Sequence, residues 1–165
     1  MLADLDPVDI QILNYLQFDA RMTNKEIAAK TGKSVTAIHE RVRRLEETGY
    51  IEGYVALLNK DRVGKKLTVF TTVKLKEHSD IILSKFEKEV IKFHEVMECY
   101  QLTGVADFLI KVVVDDMDAY NHFLKTRLAS LPNIGNLLTS FVLVEAKRGT
   151  AYHLIPNEPK KKETR

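Results

Sequence analysis

Lys30, Lys33, Arg41, Arg43 and Arg44 crowd one short stretch of this sequence, with Glu40 the only acid among them. A cationic patch of this kind neutralises phosphates, and its attraction weakens as salt rises. Ser34, Thr36 and His39 lie in the same stretch and carry the donors and acceptors that reach base edges. The chemistry they offer is non-covalent recognition of a polyanion. Ser34, Thr36, His39 and Arg43 are expected to face base edges or the groove wall, and Lys30, Lys33, Arg41 and Arg44 to contact phosphates. The plainer alternative is a solvated helix face that binds nothing.

The residues around the patch say how it is held. Thr23 can cap a helix start, and Glu26 can reach back to complete a capping box. Thr31-Gly32 ends that helix, since glycine tolerates the left-handed conformation of a C-terminal cap. Ser34 caps a second helix, on which Val35, Ile38, Val42 and Leu45 repeat at helical spacing and are expected to form a buried stripe. Asp6-Pro7 opens an earlier helix whose Ile10, Ile12, Leu13 and Leu16 give it an apolar side. Helix, short helix, tight turn and a helix with a basic outer face is the layout that sets a recognition helix in the major groove. Thr48-Gly49 ends the third helix. Tyr50–Leu58 reads as extended, which makes the domain a winged helix-turn-helix over residues 1–58. Polar residues 59–66, with Gly64, read as a linker.

A different pattern starts at Leu67. LTVFTTVKLK is rich in β-branched residues and reads as a strand. Ser79–Ile91 is expected to be helical, Glu95–Leu102 and Asp107–Val114 to be strands joined at Thr103–Ala106, Asp116–Leu131 to be a helix ended by Pro132, and Leu137–Ala146 to be the last strand. The order β-α-β-β-α-β predicts a ferredoxin-like sandwich over residues 67–150, making the chain α+β as a whole. Residues 151–165 read as a tail, disordered at PNEPKKKETR, where Lys160–Lys162 solubilise the chain or touch DNA weakly. The strands are apolar on both sides: Val69, Val73 and Leu75 oppose Phe70, and Leu137, Phe141 and Leu143 oppose Leu138, Val142 and Val144. Two helices cover one side of such a sheet, so the other predicts a homodimer, which also suits a helix-turn-helix reading two half-sites.

Composition removes other classes. The chain has 165 residues, 45% of them hydrophobic, and a net charge of +2. No apolar run approaches the ~20 residues of a membrane helix. The start MLADLDPVD lacks the features of a signal peptide, so the cytoplasm is the expected location. Cys99 is the one cysteine; it sits in an apolar strand and is expected to be a buried, inert thiol. His39 lies on the proposed DNA face, while His78, His94, His122 and His153 are scattered without metal-ligand spacing. No metal site and no cofactor are expected. No nucleophile motif, phosphate-binding glycine loop or carboxylate pair suggests an enzyme.

LDPVDIQIL (Leu5–Leu13), DARMTNKEIAAKTGKS (Asp19–Ser34), HERVRRLEETGYIEGYVALLN (His39–Asn59), TGVADFLIKV (Thr103–Val112) and LPNIGNLLTSFVL (Leu131–Leu143) occur in this order. Together they resemble the Lrp/AsnC family, the feast/famine transcription regulators, over nearly the whole chain. The resemblance implies an N-terminal DNA-binding domain and a C-terminal domain that oligomerises and binds an effector, commonly an amino acid. It implies dimers that assemble further, to octamers or similar species. It also places the effector pocket between subunits, near Leu102, Thr103, Gly104, Val105, Ala106 and Asp107, with hydroxyls of Thr139 and Ser140 supplied by a neighbour. Many members carry Gly-Asp-Tyr/Phe-Asp in that loop; this chain has Gly104-Val105-Ala106-Asp107. The alternatives are that Gly104 makes a hairpin turn, Asp107 caps it, and Thr139 and Ser140 are ordinary strand residues. Two rival functions share the fold or the surface: an enzyme like the sirohaem decarboxylases, and a non-specific architectural DNA-binding protein.

Overall fold

The computed structural model describes residues 5–155. The stretch 156–165, with Lys160–Lys162, lies outside the described residues. Two compact units emerge, one from residues 5–57 with 147–155, the other from residues 58–146.

The first unit holds helices α1 (Pro7–Phe18), α2 (Asn24–Thr31) and α3 (Val35–Glu47). Each begins at the polar residue the sequence marks. Asp6 Oδ1 accepts from the N–H groups of Val8 and Asp9 at 2.8 and 2.9 Å, and the Asp9 carboxylate accepts from the Asp6 N–H at 3.1 Å. Thr23 and Glu26 form the same reciprocal box on α2. Ser34 Oγ accepts from the Ala37 N–H at 3.2 Å to start α3. Gly32 ends α2 at φ +66°, the left-handed conformation that reverses the chain toward α3. Ile12, Leu13, Ile27, Ala28, Ile38 and Leu45 make the core.

The buried stripe expected on α3 loses one member. Val35 is half exposed, because it starts α3 at the surface, a full turn before Ile38 enters the core. Residues 51–59 form no strand. They are held by single bonds instead, such as Ile51 N–H to Leu45 O at 3.1 Å and Tyr54 Oη to Glu46 at 2.8 Å. The start of the expected tail is pinned to α1: the Tyr152 N–H donates to Gln17 Oε1 at 2.6 Å and Asn14 Nδ2 to Leu154 O at 3.1 Å, while Leu154 packs on the core.

The second unit is a four-stranded antiparallel sheet of β1 (Leu67–Leu75), β2 (Val96–Gln101), β3 (Phe108–Val114) and β4 (Ile134–Phe141), in the order β2-β3-β1-β4. Helices α4 (Asp80–Val90) and α5 (Met117–Phe123) complete the β-α-β-β-α-β chain. The helix beginning with α5 continues as a π-helical turn over Leu124–Leu128. Val69, Val73, Leu75, Phe108, Ile110, Val112, Phe86, Val90, Tyr120 and Phe123 fill the core.

β4 starts earlier and ends earlier than the expected Leu137–Ala146. β1 runs out of partners for it: Phe141 pairs with Val69, the Val142 N–H still reaches Thr68 O at 3.0 Å, and β1 begins at Leu67. Leu143 and Val144 therefore leave the sheet and stand exposed, although their composition favours a strand. Residues 59–66, read as the linker, make an ordered turn. Asn59 Oδ1 accepts from the N–H groups of Asp61 and Arg62, and Lys65 pairs with Asp115 at 2.7 Å. Cys99 is half-buried, and its thiol is pushed up by burial and by nearby Glu87.

Candidate nucleic-acid interface and effector loop

α3 buries Ile38 and Leu45 and turns Thr36, His39, Glu40 and Arg43 outward, and Lys33 and Ser34 are exposed just before it. The eight residues expected to meet DNA thus fall into two groups. Lys33 and Thr36 are exposed at the start of the helix. Ser34 spends its oxygen on the helix cap, and the His39 ring lies 3.3 Å from Asn24 Nδ2 across the turn. Lys30 sits over the Tyr15 ring, 5.6 Å from its centroid. Arg43 is exposed and bridges Glu40 at 2.6 Å and Glu47 at 3.9 Å along its own helix.

Arg41 and Arg44 are placed otherwise. Arg41 Nη1 meets Asp6 Oδ2 at 2.6 Å and Asp9 Oδ1 at 2.7 Å, and Arg44 Nη2 meets Asp9 Oδ2 at 2.5 Å. Asp9 is only 1% exposed. The Arg41 guanidinium is held more firmly protonated by Asp9, with burial opposing and Asp6 adding to the effect. At Asp6, burial works against the charged form, but the Asp9 N–H and Arg41 outweigh it and keep the carboxyl below its ordinary range. Both arginines are engaged by the start of α1, although the sequence separates them from these acids by more than thirty positions. The sequence does not announce Asp6 and Asp9 as partners of α3; its one signal is their spacing, which puts both carboxylates at one helix end.

The loop after β2 is open to solvent. Leu102, Thr103, Gly104 and Val105 are exposed, with Ala106 half-buried, and the Leu102 N–H closes the turn on Asp107 O at 2.8 Å. Gly104 has φ +109°, a backbone that side chains rarely adopt. The Asp107 carboxylate points back into the fold, accepting from the Leu75 N–H at 2.7 Å and lying 3.1 Å from His78 Nδ1. Thr139 and Ser140 face opposite sides of the sheet, as neighbours on a strand must. Thr139 Oγ1 bonds to the Tyr120 hydroxyl at 2.7 Å on the helix-covered side, whereas Ser140 is exposed on the other.

A capped helix-turn-helix with a basic outer helix, followed by a ferredoxin-like sheet, defines a two-unit protein of the helix-turn-helix DNA-binding class. The comparisons with known proteins agree. Residues 5–52 match the winged helix-turn-helix DNA-binding family, and residues 68–152 match the Lrp/AsnC ligand binding domain. The chain belongs to the Lrp/AsnC family of transcriptional regulators. It is 39% identical over 142 residues to the Bkd operon transcriptional regulator of Pseudomonas aeruginosa, covering 86% of this chain and 93% of that one. It is 40% identical over 145 residues to the leucine-responsive regulatory protein of Escherichia coli, covering 88% of each. A transcriptional regulator from Neisseria meningitidis, solved as its L-Met complex, superposes with a TM-score of 0.86 at 34% identity, over 90% of this chain and 96% of that one. These relatives are regulators of transcription, and the chain is read with them as a regulator and not as an enzyme. Among the described residues no helix is long and apolar enough to cross a membrane.

Proposed function

We propose that the protein is a sequence-specific regulator that binds DNA as a homodimer or higher oligomer, up to an octamer, and responds to an amino acid held between C-terminal domains. The observation that carries the DNA part is α3 itself. Its apolar side is anchored by Ile38 and Leu45, and its outer side presents Thr36, His39 and Arg43 to solvent, with Lys33 exposed in the turn before it. Thr36, His39 and Arg43 read base edges, Lys33 and Lys30 meet phosphates, and Ser34 positions the helix end. A regulator of this kind works in the cytoplasm, beside the DNA.

The dimer is proposed to form through the uncovered side of the sheet, where Leu138 and Tyr100 are exposed and Phe70, Leu109 and Val142 are half-buried. An uncovered apolar sheet face favours a second copy. For the effector, the L-Met complex of the Neisseria relative supports an amino acid. The loop Leu102–Ala106 supplies backbone donors at the rim, and Ser140 of a neighbouring copy supplies a hydroxyl. Asp107 serves as the turn's cap, through its bond to the Leu75 N–H.

Replacing Arg43 with alanine tests the placement of α3. Site-specific affinity should fall by roughly 1–3 kcal/mol, with relaxed preference at one base pair. Unchanged binding in an anisotropy titration removes Arg43 from the interface. Competition with unrelated duplex at physiological salt separates this reading from an architectural protein, since a specific site should win by ~10³-fold or more. A thermal-shift screen against the twenty amino acids tests the effector. A ligand at one hundred times its Kd stabilises by about 2.7 kcal/mol, and a flat response to all of them removes the sensor assignment.

A further inference from the structure

Asp9 is the only charged side chain fully buried among the described residues. Its two carboxylate oxygens are divided between two arginines of α3: Oδ1 takes Arg41 at 2.7 Å and Oδ2 takes Arg44 at 2.5 Å. Arg41 is also held by Asp6 at 2.6 Å, and the Asp6 N–H donates to Asp9 Oδ2 at 3.1 Å. Removing a carboxylate from water is costly, and well-packed apolar residues commonly stabilise as much as a buried ion network does. What such a network adds is direction. Apolar contacts let a helix roll about its axis with little change in energy, whereas charge-assisted hydrogen bonds to fixed oxygens do not.

The geometry of α3 makes that roll matter. At 100° per residue, Arg41 and Arg44 stand about 160° and about 100° from Arg43, so the tethered flank lies on the side of α3 away from Arg43. With a helix radius of about 5–6 Å, a roll of about 20° moves an outer side chain by about 2 Å. A hydrogen bond to a base edge does not survive that displacement. The same contacts engage the Arg41 and Arg44 guanidiniums, which would otherwise neutralise phosphates of any sequence.

We propose that Asp9 is a positioning residue for DNA recognition: through Arg41 and Arg44 it sets the roll of α3 and withholds both guanidiniums from phosphates. Affinity for the chosen sequence is thereby raised relative to affinity for DNA at large. The inference rests on α3 being the recognition helix.

The test uses the full chain and two duplexes: one selected by the wild-type protein from a random pool, and one of mixed sequence, each titrated by anisotropy across a range of salt. Asp9→Asn keeps the shape and removes the charge. It should lower affinity for the selected duplex by at least about 10-fold while affinity for mixed sequence holds or rises, with a log–log salt slope steeper by about 0.9 for the released Arg44, Arg41 being still held by Asp6. Equal losses on both duplexes, leaving their ratio intact, mean that Asp9 merely supports the fold and overturn the proposal. Arg44→Gln gives a second test that does not depend on Asp9→Asn folding, because Asp9 keeps Arg41. Its mixed-sequence salt slope should match wild type; a slope shallower by about 0.9 makes Arg44 a phosphate ligand and overturns the proposal. A wild-type chain that selects no sequence removes the recognition reading instead, and the Arg44→Gln slope still decides whether Arg44 is withheld.

Discussion

The Tyr120 hydroxyl lies 2.7 Å from Thr139 Oγ1 and 3.0 Å from Thr71 Oγ1, so one phenol from α5 ties together the two neighbouring strands β1 and β4 beneath it. Tyr120 and Thr71 are fully buried. Each hydroxyl there depends on the others for its partner. Tyr120→Phe should therefore destabilise the C-terminal unit by about 1–3 kcal/mol, since it leaves the buried Thr71 hydroxyl and the half-buried Thr139 hydroxyl without their shared partner and opens no cavity. Urea unfolding followed by tyrosine-independent circular dichroism measures the loss, and a change below about 0.5 kcal/mol would show that water replaces the phenol.

Acid should loosen the N-terminal unit through Asp6. Its carboxyl titrates below the ordinary 3.8 when folded; burial opposes this, and the Asp9 N–H and Arg41 outweigh it. A depressed folded pKa means that the stabilisation is complete above the unfolded value and disappears as pH falls through the folded one. Asp6→Asn should abolish that part of the acid sensitivity, because the amide cannot titrate. Hydrogen exchange of α1 and α3 amides between neutral pH and pH 3 provides the measurement, and identical pH profiles for the two proteins would refute the assignment.

The turn between α2 and α3 depends on backbone conformation more than on packing. A methyl group at Gly32 would meet nothing within 4 Å, yet φ is +66°. Gly32→Ala should cost about 1–2 kcal/mol from left-handed strain alone. Ser34→Ala, which removes the cap of α3, should cost about 0.5–2 kcal/mol. Thermal melting of both variants checks these values, and a neutral Gly32→Ala would mean that the turn relaxes to another conformation.

Residues beyond the second unit complete the first. Leu154 packs on the helix core, and the backbone at Tyr152 and Leu154 is bonded to Gln17 and Asn14. Leu154→Ala should destabilise the DNA-binding unit by about 1–2 kcal/mol, less than a fully buried leucine, and leave the sheet unit unchanged. Domain-resolved hydrogen exchange distinguishes the two, and equal effects on both units would place the contact elsewhere.

Local chemistry accounts for what could be read early. Helix starts at Asp6, Thr23 and Ser34 are decided within three or four residues, because a cap bonds to its own first turn. Gly32 likewise carries its own signal. The end of β4 does not: Val142, Leu143 and Val144 have strand composition, but a strand needs a partner, and β1 ends first. The same limit applies at the candidate site. Thr139 and Ser140 are adjacent hydroxyls in sequence, and strand alternation sends one under α5 and the other into solvent.

The α+β order, the three capped helices, the basic outer side of α3 and the family are legible in the residues, since all of these reside in short spacings and nearby bonds. How the cations are used is settled only when the chain folds. Arg41, Arg43 and Arg44 look alike in a string of letters, yet Arg43 bridges acids of its own helix while the other two reach carboxylates from the start of the chain. The physical reason is that charge pairs at a distance fixed by folding, and more than thirty intervening residues carry no record of which oxygen each guanidinium will meet.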